Sequence, residues 1–125
     1  MGRNLRSAKA AGSRFERLIA DHLDSRLEDC RVDRQVKTGA ADSGDLYGVA
    51  CRSRQIAVEC KNVTRMSLPQ WAREAHTEAS NIGALTGVVI HKRHGNAKAG
   101  DQWVTMTVTD FITILNHANR KDTAE

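Results

Sequence analysis

Apolar residues recur at helical spacing in three segments of the chain, and this pattern is typical of helices that bury one face. The first predicted helix covers residues 5–27, with an apolar face of Phe15, Leu18, Ile19, His22 and Leu23. The second covers residues 68–83 after a candidate N-cap at Ser67, with a stripe of Trp71, Ala75, Ala79 and Ile82. The third follows a cap at Thr109 or Asp110 and carries Phe111, Ile112, Ile114 and Leu115.

Alternation of apolar and polar residues predicts β-strands in the segments between these helices. The predicted strands are 31–37, 45–50, 55–61, 85–91 and 102–109. The first strand should turn Val32 and Val36 inward, and the polar segment 51–54 should join the next two strands as a hairpin. Because the third and fourth strands are separated by a helix, they can pair in parallel through a crossover. The order therefore predicts an α/β fold, a single domain with a mixed central β-sheet flanked by helices.

The segment "IAVECKN" at residues 56–62 places a carboxylate and an ammonium side by side. Since side chains alternate along a strand, Glu59 and Lys61 should project from the same face. Asp45 begins the preceding strand of the hairpin and should lie at the same open end. Two carboxylates at the end of a sheet offer the oxygen ligands that suit a hard divalent cation. A lysine beside them can orient or help deprotonate an attacking water and neutralise developing charge.

Asp45 and the triplet Glu59-Cys60-Lys61 resemble the signature of the PD-(D/E)xK nuclease superfamily, with "SGD" in place of the nominal Pro-Asp. The predicted first helix contains "GSRFERLIADHL", which resembles the N-terminal helix of archaeal-type Holliday junction resolvases and related phage nucleases. In those proteins a helix glutamate contributes to the metal site, and the matching residue here is Glu16. The resemblance covers residues 10–92, most of the chain.

The resemblance implies a restriction-endonuclease-like core and a divalent-metal-dependent, structure-selective DNA endonuclease that acts as a homodimer on four-way junctions. The implied catalytic residues are Asp45, Glu59, Lys61 and Glu16. The implied ligands of Mg²⁺, for which Mn²⁺ can substitute, are Asp45, Glu59, Glu16 and the backbone carbonyl of Cys60. Gln70 follows the triplet where some members use a helix glutamine near the site, and the alternative is an exposed residue of the first helical turn.

The charge distribution agrees with an anionic partner. The chain has a formal net charge of +4 and its basic residues form clusters, which favours nucleic acid. The candidate DNA-binding residues are Arg3, Arg6, Lys9, Arg14, Arg34, Lys37, Ser43 and Lys92. Aromatic residues make up only 4% of the chain, which speaks against a base-stacking platform for single strands. Residues 1–9 are interpreted as a basic arm and 120–125 as a frayed tail.

Several plainer interpretations stand beside these. Glu59 and Lys61 could form a surface ion pair, Asp45 could be a turn residue, and Glu16 and Lys92 could be solvated. Glu74 and Glu78 are expected on a solvated helix face, and three cysteines without CxxC spacing are expected to be reduced thiols. His91 and His94 lack the further ligands of a metal site.

Broader features of the sequence bound the location and the alternatives. No apolar run is long enough to span a bilayer, and the N-terminus lacks a secretory h-region. The expected location is the cytoplasm, that of the host cell if the chain is phage-encoded. The alternative functions are a restriction-type or end-processing nuclease of the same fold and a non-catalytic DNA-binding module.

Overall fold

A mixed β-sheet forms the centre of the structure and carries helices on its two faces. The computed structural model describes residues 4–36 and 44–121. Within these ranges the helices are α1 (Leu5–Arg26), α2 (Leu68–Ile82) and α3 (Val108–Ala118). The strands are β1 (Asp33–Arg34), β2 (Leu46–Tyr47), β3 (Ala50–Cys51), β4 (Arg54–Lys61), β5 (Thr86–His91) and β6 (Trp103–Thr105). The predicted α/β class and mixed sheet are confirmed.

The long strand β4 lies at the middle of the sheet and pairs with three other strands. The strand order is β1-β2-β4-β5-β6, and β3 also pairs with β4. β4 and β5 are parallel and are joined through α2, whereas the other pairs are antiparallel. This arrangement confirms the predicted crossover between the strand at 55–61 and the strand at 85–91.

Side chains on the two faces of the sheet enter two separate clusters. On one face, Val58 of β4 and Ile90 of β5 pack with Phe15 and Ile19 of α1. On the other face, Trp71 and Ala75 of α2 pack with Val89 of β5. Because side chains alternate along a strand, Glu59 and Lys61 lie on the α2 face of β4. The sheet therefore presents its charged pair toward α2.

A glycine in β5 allows α2 to lie close to the sheet. A Cβ atom at Gly87 would collide with the backbone carbonyl of Ala75, so any larger residue would push the helix away. The helix ends at Gly83, which adopts the left-handed conformation with φ of 62° and serves as the C-cap. Ser67 occupies the N-cap position as predicted, and Pro69 lies in the first turn.

The predicted hairpin is present and turns through two residues in the left-handed region. Arg52 has φ of 47° and Ser53 has φ of 70°, and Cys51 pairs with Arg54 across the turn. Two central residues with positive φ are the mark of a type I′ turn, whose twist matches that of the strands. The strand predicted at 45–50 is divided into β2 and β3 by Gly48–Val49.

The first predicted strand is shorter than its sequence pattern suggested. Of residues 31–36, only Asp33–Arg34 pair in the sheet, because the neighbouring strand β2 is itself two residues long. Val32 is buried as predicted, but Val36 is 72% exposed and its predicted inward orientation is wrong. Leu18, predicted on the apolar face of the first helix, is also partly exposed.

The strand predicted at 102–109 ends early because a helix cap intervenes. The side chain of Thr107 accepts a hydrogen bond from the Asp110 amide, and the Asp110 side chain accepts one from the Thr107 amide. This capping box starts α3 at Val108, so the N-cap is Thr107 and neither predicted cap is correct. Two amides that would otherwise be unsatisfied at the helix start gain partners, and this outweighs the weak alternation of the segment. In the described ranges, no helix is long and apolar enough to cross a bilayer.

Candidate active site

Asp45 stands at the start of β2, beside the end of β4. Its amide donates a hydrogen bond to the Val58 carbonyl at 2.8 Å, and the next residue, Leu46, pairs with Val58. The Asp45 side chain is buried, and its Oδ2 accepts a hydrogen bond from the Cys60 amide at 2.8 Å. A carboxylate therefore binds a backbone amide of the "ExK" triplet itself.

The residue before Asp45 is Gly44, and its backbone conformation excludes proline at this position. Gly44 has φ of +93°, a value that proline, fixed near −65°, cannot adopt. A Cβ atom at Gly44 would also lie 3.2 Å from the Val58 carbonyl oxygen and 3.4 Å from Oε2 of Glu78. The backbone therefore favours glycine immediately before Asp45.

Lys61 lies between two carboxylates on the α2 face of the sheet. Its Nζ is 3.4 Å from Oε1 of Glu59 and 2.9 Å from Oε1 of Glu74. The Glu59 and Lys61 side chains are only 13% and 22% exposed, so the pair is not the surface ion pair of the plainer interpretation. Burial lowers the pKa of Lys61, but the hydrogen bond to Glu74 and the charges of Glu59 and Glu74 raise it above its usual value overall. Lys61 is therefore a protonated ammonium at neutral pH.

Four carboxylates lie near enough to the thiol of Cys60 to affect its pKa. Burial raises the pKa of Cys60, and the negative charges of Asp45, Glu16, Glu59 and Glu78 raise it further. The candidate acids predicted from the sequence thus act on one buried group, and a fourth acid joins them. Cys60 is in consequence a neutral, inert thiol, which agrees with the prediction of reduced cysteines.

Glu16 lies on α1 with a basic partner from the sheet. Its Oε1 is 3.3 Å from Nε of Arg34, and its side chain is 17% exposed, so it is not the solvated helix residue of the plainer interpretation. Arg34 was a candidate DNA-binding residue, and this ion pair uses its guanidinium within the protein. Glu16 therefore approaches Cys60 from the α1 face of the sheet, whereas Glu59 lies on the α2 face.

Glu78 is the site residue that sequence reasoning missed, because the prediction of a solvated face for Glu74 and Glu78 is wrong. Glu78 is fully buried, with 0% exposure, and Glu74 contacts Lys61. The spacing held the signal: Glu78 follows Ala75 by three residues and Trp71 by seven, so it falls within the apolar stripe of α2. A charged residue in such a stripe indicates a buried carboxylate.

Gln70 lies in the first turn of α2 and touches the same cluster. Its amide nitrogen is 3.4 Å from Oε2 of Glu74, and its side chain is exposed. It is thus an exposed first-turn residue that contacts the partner of Lys61. No direct contact joins Gln70 to Asp45 or Glu59 among the hydrogen bonds of the described residues.

The donor atoms beside the end of β4 have the chemistry that magnesium prefers. Asp45 and Glu59 supply carboxylate oxygens from neighbouring strands. The amide of Cys60 points toward Asp45, and because a strand residue directs its N–H and C=O to the same side, the Cys60 carbonyl faces that side too. Residues 4–36 and 44–121 contain no group of three or more His, Cys, Asp or Glu side chains arranged to hold a metal ion. The donors that fit Mg²⁺ are two side chains and one backbone oxygen.

A basic groove runs beside this site and brings together three candidate DNA-binding residues. The groove has a volume of about 570 Å³ and is lined by Arg6 and Arg14 of α1, and by Asn62, Lys92 and His94 from the ends of β4 and β5. Asn62 directly follows Lys61, so the groove reaches the end of β4. Lys92 directs its Nζ to the carbonyls of Arg93 and Asn96, which fixes its charge at the groove wall.

The remaining candidate DNA-binding residues lie elsewhere. Lys9 is exposed on α1 but does not line the groove. Arg3, Lys37 and Ser43 fall outside the described residues. The groove is therefore lined by fewer of the candidate DNA-binding residues than the basic clusters of the sequence suggested.

Comparison with known proteins identifies no relative of this chain. The chain matches no protein-family model, and it has no significant similarity to a curated protein or to a solved structure.

Proposed function

We propose that this protein is a divalent-metal-dependent, structure-selective DNA endonuclease of the PD-(D/E)xK type, resembling Holliday junction resolvases. The observation that carries the proposal is the hydrogen bond from the Cys60 amide to Asp45, with Lys61 of the same strand held between Glu59 of β4 and Glu74 of α2. The proposal is supported by this arrangement of two acids and a lysine near the end of β4, which resembles the superfamily signature.

Each of these residues has a distinct role in phosphodiester hydrolysis. Asp45, Glu59 and the Cys60 carbonyl would hold Mg²⁺, and Glu16 approaches the same region from α1. A Mg²⁺ ion held there would supply polarisation of the scissile phosphate and a water of lowered pKa. Lys61, held between Glu59 and Glu74, would donate hydrogen bonds that orient this water for in-line attack and stabilise the negative charge that develops on the phosphate oxygens.

The products follow from which bond breaks. The water oxygen bonds to phosphorus, the bond from phosphorus to the 3′ oxygen breaks, and the strand is left with a 5′-phosphate and a 3′-hydroxyl. The proton released by the water passes to solvent or to the leaving oxygen. This is the cleavage pattern of the superfamily that the site resembles.

The basic groove supports duplex DNA as the substrate. Arg6, Arg14 and Lys92 place three positive charges along a surface that ends next to Lys61. Contacts of this kind bind phosphates without reading bases, so they select the shape of the DNA. Because the groove ends next to the proposed catalytic residues, a duplex arm lying in it would bring the branch point of a DNA junction to those residues.

An exposed apolar stripe on α3 supports a homodimer. Val108, Phe111, Ile112 and Leu115 are between 42% and 75% exposed, and their spacing places them on one face of the helix. The edge strand β6 adds the exposed Val104. A second copy of the chain is the proposed occupant, because a four-way junction presents two scissile strands related by a two-fold axis and each copy supplies one site.

The test of this proposal is cleavage of a labelled four-way junction and of a linear duplex with the same sequence, in Mg²⁺ and in EDTA. The wild-type protein should cut the junction only in Mg²⁺. Asp45→Asn keeps an oxygen for the Cys60 amide but removes the charge, and should slow cleavage by more than about 100-fold while junction binding persists. Glu28→Gln, at an exposed acid far from the groove lining, is the matched control and should cleave normally.

Three outcomes would contradict the proposal in different ways. Equal cutting of the linear duplex would favour a restriction-type or end-processing nuclease. Junction binding without any cleavage would favour a non-catalytic DNA-binding module. Full activity of Asp45→Asn would show that Asp45 is not part of the active site.

A further inference from the structure

A second cavity lies on the other side of Lys61 and contains both tryptophans of the chain. It has a volume of about 310 Å³, at the small end of ligand pockets. Its walls include Lys61, Trp71, His91 and Trp103, and it shares Lys92 and His94 with the basic groove. The cavity is thus continuous with the proposed phosphate-binding surface and touches the proposed catalytic lysine.

The floor of this cavity is a row of side chains across three adjacent strands. Lys61 of β4 pairs in register with His91 of β5, and His91 pairs with Trp103 of β6. Residues in register share a face, so these three side chains lie side by side at one end of the sheet. With strands about 4.8 Å apart, Trp103 stands about 10 Å from Lys61 measured between backbones.

The middle of the row is rigid and uncharged. The Nε2 atom of His91 is 2.7 Å from the Thr105 hydroxyl, and its ring lies 5.3 Å from that of Trp71 at a tilt of 56°. Burial lowers the pKa of His91, so its imidazole is neutral at physiological pH. Trp71 itself is buried and belongs to the core beneath α2. The centre of the cavity is therefore aromatic and uncharged, whereas Lys61 and Lys92 supply positive charge at its walls.

Trp103 forms the open edge of the cavity. It is 48% exposed, and the guanidinium of Arg93 lies over its ring at 4.8 Å from the centroid. A tryptophan ring and an arginine plane are the two surfaces on which unpaired bases stack most readily. The low aromatic content speaks against an extended stacking platform, but one exposed tryptophan at the open edge of this cavity has the chemistry to stack a single base.

The loop that carries Arg93 is held in place by its own side chains. Gln102 accepts a hydrogen bond from the Arg93 amide at 2.6 Å and donates to the carbonyls of Asn96 and Lys98. His94 Nε2 lies 2.9 Å from the Val63 carbonyl, which joins this loop to the one after β4. The cavity wall is consequently preformed, and a ligand need not order it.

We infer that this cavity binds one unpaired nucleobase of the DNA, stacked at Trp103, while the attached phosphate lies toward Lys61. The inference rests on the proposed function, since it takes DNA as the substrate. Unstacking a base costs least where it is already unpaired. The pocket would therefore direct cleavage to branches with an unpaired nucleotide at the crossover.

The direct test needs no cleavage, because both tryptophans line the cavity and their fluorescence reports its occupancy. The Asp45→Asn protein is titrated with a short oligothymidylate and with an abasic strand of equal length and charge. The oligothymidylate should quench the fluorescence and bind more tightly than the abasic strand. Equal binding of the two strands would overturn the inference, since phosphates alone would then account for it.

Substitutions assign the effect to Trp103. In the same background, affinity for a fluorescein-labelled oligothymidylate should fall about 5- to 150-fold in Trp103→Leu and be largely retained in Trp103→Phe. Tyr47→Ala removes another exposed aromatic residue outside this cavity and should leave affinity unchanged. Loss of affinity in Tyr47→Ala equal to that in Trp103→Leu would contradict the assignment.

The two proposals can fail separately. If the wild-type protein cuts junctions but Trp103→Leu cuts and binds as wild type does, the base pocket is wrong and the nuclease stands. If oligothymidylate binds at Trp103 but no DNA is cut, the pocket stands and the nuclease is wrong.

Discussion

Replacing Asp110 with asparagine should destabilise the fold by an amount that depends on pH. Asp110 joins three elements: its carboxylate is 2.8 Å from Nε2 of His76 on α2, accepts from the Thr86 hydroxyl of β5 at 2.7 Å, and accepts from the Thr107 amide at 3.0 Å. Burial raises the pKa of Asp110, but these hydrogen bonds outweigh it and lower that pKa from 3.8 to about 2. Each pKa unit corresponds to about 1.4 kcal/mol, so the ionised carboxylate contributes about 2 kcal/mol.

The sign of the pH dependence follows from the direction of that shift. Because the folded pKa lies below the unfolded one, the contribution is fully present above pH 4 and is lost as the pH falls toward 2. Urea unfolding of wild type and Asp110→Asn at pH 7 should differ by about 2 kcal/mol, and the difference should shrink between pH 4 and pH 2. Asp29→Asn, at an exposed acid, is the control. A difference that stays constant down to pH 2 would refute the reasoning, because uncharged contacts would then carry it.

Three further predictions concern the approach to β4, the groove and the dimer. Gly44→Pro introduces a residue that cannot reach φ of +93°, so it should lower the melting temperature and the proposed cleavage together. A variant as stable as wild type would show that the turn at Asp45 adopts another conformation. Arg6→Ala combined with Arg14→Ala should reduce the slope of log affinity against log salt by about 1.8. Arg26→Ala, at the far end of α1, is the control and should leave the slope unchanged. An unchanged slope in the double variant would show that the groove does not bind DNA. Light scattering should give twice the chain mass of 13.8 kDa for wild type and the monomer mass for Ile112→Asp, and a monomeric wild type would count against resolvase action.

The parts of the structure that sequence reasoning predicted well are those with strong periodicity. α1, α2 and β4 lie close to their predicted positions because an apolar stripe or strict alternation leaves little freedom in which face is buried. The predicted hairpin correctly places Asp45 beside the "ExK" strand, because its turn fixes the register.

The errors arose where a local interaction or a residue type outweighed the pattern. Thr107 and Asp110 satisfy each other's amides, which a count of alternating positions does not include. Glu78 is charged and is predicted on a solvated face, but its position in the α2 stripe indicates the burial that the structure shows. The convergence of Trp71 and Trp103 on one cavity depends on the pairing of β5 with β6, which no periodicity along the chain reports.

The hydrogen bond between the Cys60 amide and Asp45 has a consequence for which cation the site would select. Oδ2 of Asp45 substitutes for a strand carbonyl that the short β2 does not provide, so this oxygen is oriented by the sheet itself. A cation that took both carboxylate oxygens would compete with that bond, and one-oxygen coordination is favoured. Calcium prefers six to eight ligands, often bidentate, whereas magnesium accepts one or two carboxylates and keeps its remaining octahedral positions filled with water. If the proposed site binds a cation, the backbone amide would therefore favour the smaller, more hydrated ion.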